Sequence, residues 1–377
     1  MKSLIALFIL YSHCIIAQNV SLQIACQLPS YLNEASGIEL SPDGTIWTHN
    51  DSGNEAKIYQ IDDQCNVIRT VNLLGVSNND WEDLALSDSL ILYVGDFGNN
   101  LNTRTNLAVY FFPTNDLPLG ESSVTPSVIH FNHSEQNAFP PNAEAMHFDT
   151  EAMILRGDSL FLFSKDRSSP FTGKTYEYAI PATAGTYTIS RIDSFVVSTQ
   201  SGSAVTSADF LNDINRLYLL TTSEILEFNT NQGNHLLENL YARHSFEFLS
   251  QKEGISLLDS CNIFVCDELN TILGNGGNIF SSFICTILSQ DQTLNKEYRI
   301  SFAQAINAIN LQAANSQTID HPIQVRILSI EGKSVLDSSG YLPFNIPIEN
   351  LKVGMYIINI QDNSKVFSTR IYLNYSN

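Results

Sequence analysis

Five times between residues 34 and 253 the chain repeats one phrase: an acidic residue, usually a small residue or two, then an apolar run. The copies read Glu34-Ala-Ser-Gly-Ile, Glu82-Asp-Leu-Ala-Leu, Glu151-Ala-Met-Ile-Leu, Asp209-Phe-Leu and Glu253-Gly-Ile-Ser-Leu. A second apolar run follows each and ends in a polar tip, at Asp51, Asp96, Lys165, Thr222 and Asp267, 13 to 17 residues after the acid. That delay is the length of two short strands and a turn. The units recur 44 to 69 residues apart, the spacing of β-propeller blades with loop insertions.

The pattern between these phrases is all-β. Runs of four to eight β-branched and aromatic residues alternate with Asn, Asp, Gly and Ser turns, and no 3.6-residue period persists beyond the first residues. Blade one takes Ile38–Leu40, Thr45–Thr48, Lys57–Ile61 and Val67–Leu73, with Ser41-Pro42-Asp43-Gly44 as its hairpin turn. Blade five offers only three strands, and the segment from Ser21 to Leu28 is the natural donor of its missing outer strand. Closing the ring in this way removes two exposed sheet edges. The expected architecture is a five-bladed propeller over 18–290, or six blades if the stretch between Glu82 and Glu151 holds another.

Residues 1–17 read as a secretory signal: Lys2, an apolar stretch, and a cleavage site at Ile15-Ile16-Ala17. The stretch is too short and too interrupted to span a bilayer, and no other segment approaches membrane length. Residues 18–290 hold 32 acidic against 11 basic side chains, whereas residues 291–377 hold 7 of each. The acidic excess belongs to the first domain, where it disfavours nucleic acid and anionic membrane and favours divalent cations. Past the signal there are five cysteines, Cys26, Cys65, Cys261, Cys266 and Cys285, an odd number that leaves at least one outside an internal disulfide. Their spacing suits neither a zinc site nor a thiol nucleophile.

From about residue 300 to 377 the chain is a second, compact strand series. Its phrases Val325-Arg-Ile-Leu-Ser-Ile-Glu-Gly332-Lys-Ser-Val335, Leu351-x-x-Gly354-x-Tyr356 and Arg370-Ile371 resemble the C-terminal sorting domain of cargo of the type IX secretion system of Bacteroidetes. The family's Tyr-Pro-Asn-Pro phrase is absent near Phe302. The resemblance implies a small β-sandwich, handling by the type IX machinery, and a secreted or outer-membrane-surface protein. The first domain resembles a family of secreted bacterial propellers and, more distantly, the esterase-like phytase propellers. The phrases that carry this are Glu34-x-Ser36-Gly37, Trp47-Thr-His49-Asn50-Asp51-Ser52-Gly53, Asp80-Trp81-Glu82-Asp83, Gly95-Asp96-x-Gly98-Asn99-Asn100, Thr150-Glu151-Ala152 and Glu253-Gly254. That family usually shows a second acid where this chain has Asn99.

In a blade the inner strand begins, and the second strand ends, on the same face of the ring. The spacing therefore places Glu34, Glu82, Glu151, Asp209 and Glu253 around the axis, with Asp51, Asp96, Lys165, Thr222 and Asp267 outside them. Calcium wants six to eight oxygens, and converging carboxylates supply them. The expected metal set is Glu34, Asp51, Glu82, Asp96, Glu151, Asp209, Glu253 and Asp267. For any single acid the competing role is to accept backbone N–H groups of the next blade. Trp47, His49, Trp81, Arg104, Lys165 and Arg167 are the expected contacts of an extracellular ligand, although a salt bridge with a ring acid is the commoner role for a residue placed like Lys165, and packing between blades for either Trp. Ser52 beside His49 lacks the strained elbow of a serine nucleophile. The residues point to a surface ligand-binding module with a divalent cation at the channel, or else to a calcium-dependent hydrolase of phosphoesters or glycans.

Overall fold

The computed structural model describes residues 16–200, 203–212, 214–230, 235–269, 276–284, 292–294, 298–303, 308–313, 319–329, 333–348, 351, 354–363 and 365–373. Residues 1–15 of the segment expected as a signal over 1–17, Cys285 and residues 330–332 lie outside these. The chain forms two compact units, Met1–Ile284 and Cys285–Asn377.

The first unit is a five-bladed β-propeller. The inner strands Ala35–Leu40, Trp81–Leu86, Asp149–Arg156, Val205–Leu211 and Lys252–Leu257 stand side by side in that order, and the last returns to the first. Antiparallel strands follow outward in each blade. Blade one continues with Ile46–Asn50, Lys57–Ile61 and Val67–Leu73; blade two with Ile91–Asp96, Leu107–Pro113 and Ser127–His133. Blade three adds Ser159–Lys165, Lys174–Pro181 and Asp193–Val196; blade four adds Arg216–Thr221, Glu224–Asn229 and Leu240–Phe246. Blade five has Asn262–Asp267 and Asn278–Phe283, and its outer strand is Gln23–Gln27, antiparallel to Asn278–Phe283. The N-terminal segment thus closes the ring as its sequence suggests.

Each blade packs both faces against neighbours, so its inner strands are buried almost along their whole length, acids and hydroxyls included, and so is Ile46–Asn50, the second strand of blade one. Five apolar clusters result, one at each blade interface. Between blades one and two the cluster is built on Trp47, Ile58, Trp81, Leu92 and Tyr110.

A second rule governs the rim. The connection leading to a blade's outer strand reaches back to the preceding blade. Gly120–Val124 of blade two runs parallel on Val67–Leu73, and Gly185–Ile189 of blade three runs parallel on Ser127–His133. Ile16–Val20, which precedes the outer strand of blade five, lies parallel on Leu240–Phe246 of blade four. In blade four the connection docks through Leu236, whose N–H donates to Glu177 Oε2 of blade three at 3.0 Å. In blade one it is a tight turn, and Cys65 there is disulfide-bonded to Cys26 of blade five. Closing a loop of this length is worth about 4 kcal/mol in the chain-entropy account. Cys261 is also disulfide-bonded, while Cys266 is a buried free thiol.

The second unit is a β-sandwich of two four-stranded sheets. One orders Gln292–Leu294, Tyr298–Ala303, Ala308–Ala313 and Phe344–Pro347; the other orders Ser334–Gly340, Ile323–Ser329, Gly354–Asp362 and Lys365–Leu373. Tyr298, Ile309, Val325, Ile327, Ile346 and Ile358 meet in its core.

Two outcomes follow from the rim. Removing residues 18–30 strips blade five of its outer strand, shortens the clasp on blade four and deletes the disulfide. The truncated protein is expected to melt many degrees below the parent, and melting within a degree or two would contradict the closure. Glu177 is buried, and burial holds its carboxyl up at about 7, against the Leu236 N–H that favours the anion. A raised native pKa means stability is fully present below the unfolded value near 4.5 and is lost as pH rises towards 7. Glu177→Gln should therefore gain on the parent by up to about 3 kcal/mol between acid and pH 8. Parallel stability–pH curves for the two proteins would show that Glu177 titrates normally.

Candidate functional site

Every inner strand breaks register near its start. The irregularities fall at Ser36-Gly37, Glu82-Asp83, Glu151, Thr206 and Glu253. A β-bulge re-aims the side chain it inserts, so one position per blade turns out of the pleat at the channel. Glu occupies it in blades two, three and five. In blades one and four the hydroxyls of Ser36 and Thr206 sit there instead, donating to Glu82 O and Lys252 O of the next blade, both at 2.8 Å.

The two-residue irregularity in blade two separates neighbouring acids. Asp83 is fully buried among the inner strands. Its Oδ1 accepts from Leu84 N–H at 3.0 Å and Ser207 Oγ at 2.9 Å; its Oδ2 accepts from Met153 N–H at 2.8 Å and Ala208 N–H at 3.1 Å. Ser207 Oγ in turn accepts from Ile255 N–H at 3.2 Å. One carboxylate thus ties blades two, three and four, and through Ser207 blade five. Burial pushes its pKa up and the four donors pull it back.

Glu82 differs. It is 5% exposed, yet no group among the described residues donates to its carboxylate. One oxygen each from Asp51, Asp80 and Glu82 lie within 4.8 Å of one another. Gly98 makes room for them, because a Cβ there would overlap Glu82 Oε1 and lie 2.7 Å from Asp80 Oδ2. Asn78 fixes the loop that brings Asp51 in, donating to Asn50 O and Asp51 O at 2.9 Å each. Burial, then the charges of Glu151, Asp51, Asp149 and Asp80, holds Glu82 well above the usual carboxylate range. Asp51 is pushed to about 6, chiefly by burial.

The same mouth collects Asp149, Glu151, Glu253, Glu268 and Glu34. Lys165 Nζ donates to Glu151 Oε2 at 2.9 Å. Arg167 donates through Nε to Asp149 Oδ2 at 2.6 Å, and through Nη2 to Glu151 Oε1 at 3.1 Å and to Asn100. Burial would lower the pKa of Lys165, but the charges of Glu151 and Glu253 raise it. Burial carries Asp149, Glu253 and Glu268 to about 7, with Glu151 adding to the first, Glu268 to the second and Asp51 to the third. Glu34 is exposed and accepts from Asn54 Nδ2 at 2.6 Å.

Of the residues expected from sequence, Glu34, Asp51, Glu82, Glu151 and Glu253 meet at this mouth with Lys165 and Arg167. Asp209 does not. Strand pairing aligns Val205 with Thr221, which puts Thr206 at the bulge and Asp209 three residues further along. There it accepts Phe210 N–H at 2.5 Å and Leu257 N–H at 2.6 Å, beside a small cavity shared with Glu39. Asp96 is fully buried and saturated, receiving Asn79 Nδ2 at 2.7 Å, Asp80 N–H at 3.1 Å, Tyr110 Oη at 2.9 Å and Arg104 Nη2 at 2.8 Å. Arg104 also donates to Gly98 O at 2.7 Å, so this pair shapes the loop under Glu82. Asp267 is buried on Asn278 N–H at 3.0 Å. Trp47 and Trp81 pack between blades one and two and present no face to the mouth. His49 is fully buried; its Nδ1–H donates to Asn50 O at 2.9 Å, and burial drives its pKa down to about 4. Asp80, Asp149 and Glu268 were not among the expected ligands. An acid-x-acid spacing, Asp80-x-Glu82 and Asp149-x-Glu151, marks the first two in the sequence.

The family model of the secretion system C-terminal sorting domain matches residues 304–374. That tail marks the protein as secreted or cell-surface and as handled by the type IX secretion system, and among the described residues no helix is long and apolar enough to cross a membrane. No curated protein sequence matches the chain. Among solved structures it is similar to the PQQ-bound aldose sugar dehydrogenase of Streptomyces coelicolor, at 9% identity over 70% of this chain and 98% of that one, with a TM-score of 0.42. It is also similar to the α-L-arabinofuranosidase of Podospora anserina, at 13% identity over 72% and 98%, with a TM-score of 0.41. Likeness at this level assigns no ligand or activity.

Adjacent acids on one bulge should respond oppositely to loss of charge. Asp83→Asn turns an amide N–H₂ towards backbone N–H donors and leaves buried donors unmet, at a cost of about 2–4 kcal/mol. A variant as stable as the parent in thermal melting would remove Asp83 from the account.

Proposed function

We propose that the propeller is a ligand-binding module of a secreted or cell-surface protein. In this reading it carries a divalent cation, calcium above all, between Asp51, Asp80 and Glu82 at the channel mouth. The observation that carries the reading is Glu82: a nearly buried carboxylate with no donor among the described residues, surrounded by like charges, in a space kept open by Gly98. Burying an unpaired carboxylate is costly, and such groups are normally paired or metal-bound. A hard cation accepts carboxylate oxygens without preference for direction, and three carboxylates supply three to six of the six to eight oxygens calcium takes. Water and ligand oxygens complete the set.

One observation favours chemistry as well as binding. Burial holds Glu253 at about 7, in the range a general acid or base needs at neutral pH, whereas Asp149 is fully buried with its oxygens taken by Asn99 N–H and Arg167 Nε. Calcium-dependent turnover of a glycan or phosphoester, abolished by Glu253→Gln, would move the assignment to a hydrolase.

The binding reading is tested by melting Glu82→Gln beside the parent. A native pKa raised above the unfolded value makes the ionised group destabilising at neutral pH, so in chelator the variant should melt higher. Calcium binding to the native parent alone adds about 2.7 kcal/mol at a hundredfold excess over its dissociation constant, and the variant should lose that response. A parent that melts identically with calcium and with chelator would leave the mouth as structural ionic packing.

A further inference from the structure

The charges at this mouth also constrain what can enter it. Eight carboxylates, those of Glu34, Asp51, Asp80, Glu82, Asp149, Glu151, Glu253 and Glu268, share it with two cations, Lys165 and Arg167. Both cations are already engaged, Lys165 on Glu151 and Arg167 on Asp149 and Glu151. Arg104, behind them, is bound to Asp96 and Gly98 O. One divalent ion leaves the mouth net negative. An anionic group would enter against repulsion, and only by displacing an internal ion pair would it find a cationic side chain.

Hydrogen bonding points the same way. Ionised carboxylates only accept, and Glu82 has no donor among the described residues. The mouth is rich in acceptors, so its complement is a group rich in O–H donors whose oxygens also ligate a hard cation. Adjacent hydroxyls of a neutral sugar do both: each oxygen gives a lone pair to the cation, and each proton goes to a carboxylate. With Trp47 and Trp81 inside the blade interface, neither indole offers a stacking surface, and selection falls to hydroxyl geometry.

We infer that the mouth takes a neutral sugar through a pair of adjacent hydroxyls and discriminates against its phosphate esters. This rests on the cation reading above. Calorimetry on the mature full-length chain separates the two. Calcium is titrated first, alone. Methyl mannoside, methyl galactoside and methyl arabinoside follow, in calcium and in chelator, then the phosphate monoesters of the same sugars, then spermidine. The expected result is calcium binding, at least one glycoside bound in calcium and about tenfold or more weaker in chelator, and its phosphate ester weaker than the glycoside by a similar factor, about 1.4 kcal/mol. Failure of calcium to bind overturns the cation reading itself. Calcium binding with no glycoside bound, a phosphate ester tighter than its parent sugar, or spermidine bound in chelator while every glycoside fails, each overturns the sugar assignment and leaves the cation in place.

Discussion

Asp83 accepts four hydrogen bonds where the inner strands converge, and the architecture around it depends on that convergence. Backbone N–H groups on the inward edges of the inner strands have no ladder partner towards the axis, and leaving them buried and unmet is costly. One carboxylate answers donors from blades two, three and four, and Ser207 passes the connection to blade five. The blade five to blade one junction is made differently, by the buried Cys266 thiol donating to Ser36 O at 2.9 Å. At the rim the ring is clasped again by donated strands, by Leu236 on Glu177 and by the Cys26–Cys65 disulfide.

The bulge that turns Asp83 inward turns Glu82 towards the mouth. Neighbouring acids therefore have opposite roles: one is saturated with donors and holds the fold, the other is nearly buried and has none among the described residues. The cations of the mouth do not resolve this, because Lys165 and Arg167 answer Glu151 and Asp149. What remains around Glu82, Asp51 and Asp80 is negative charge in a confined space, which a divalent ion relieves and a phosphate aggravates.

Much of the fold was legible in the chain. The recurring acid and apolar run set the blade count, the three-strand fifth blade identified the segment from Ser21 to Leu28 as its partner, and the tail read as a sandwich of the sorting type. The site was legible only where local spacing and tertiary position agree. Asp209 fitted the spacing, but strand pairing places Thr206 at the equivalent position. Asp96 and Asp267 looked like ligands because their donors, Tyr110 and Asn278, come from the next strand outward and are invisible in a local phrase. Trp81 stands between Asp80 and Glu82 in sequence, and Trp47 and His49 lie within four residues of Asp51, yet all three are buried where blades one and two meet. Asp83 carried no signal of its own, since its partners Met153 and Ala208 lie in other blades.

The central claim, that Glu82 with Asp51 and Asp80 holds a divalent cation, is tested most directly by metal content. The parent and Glu82→Gln would be dialysed against calcium, passed through a desalting column and analysed by elemental mass spectrometry. The account predicts one calcium per chain in the parent and none above background in the variant. Parent protein without bound calcium, or equal calcium in both, would contradict it.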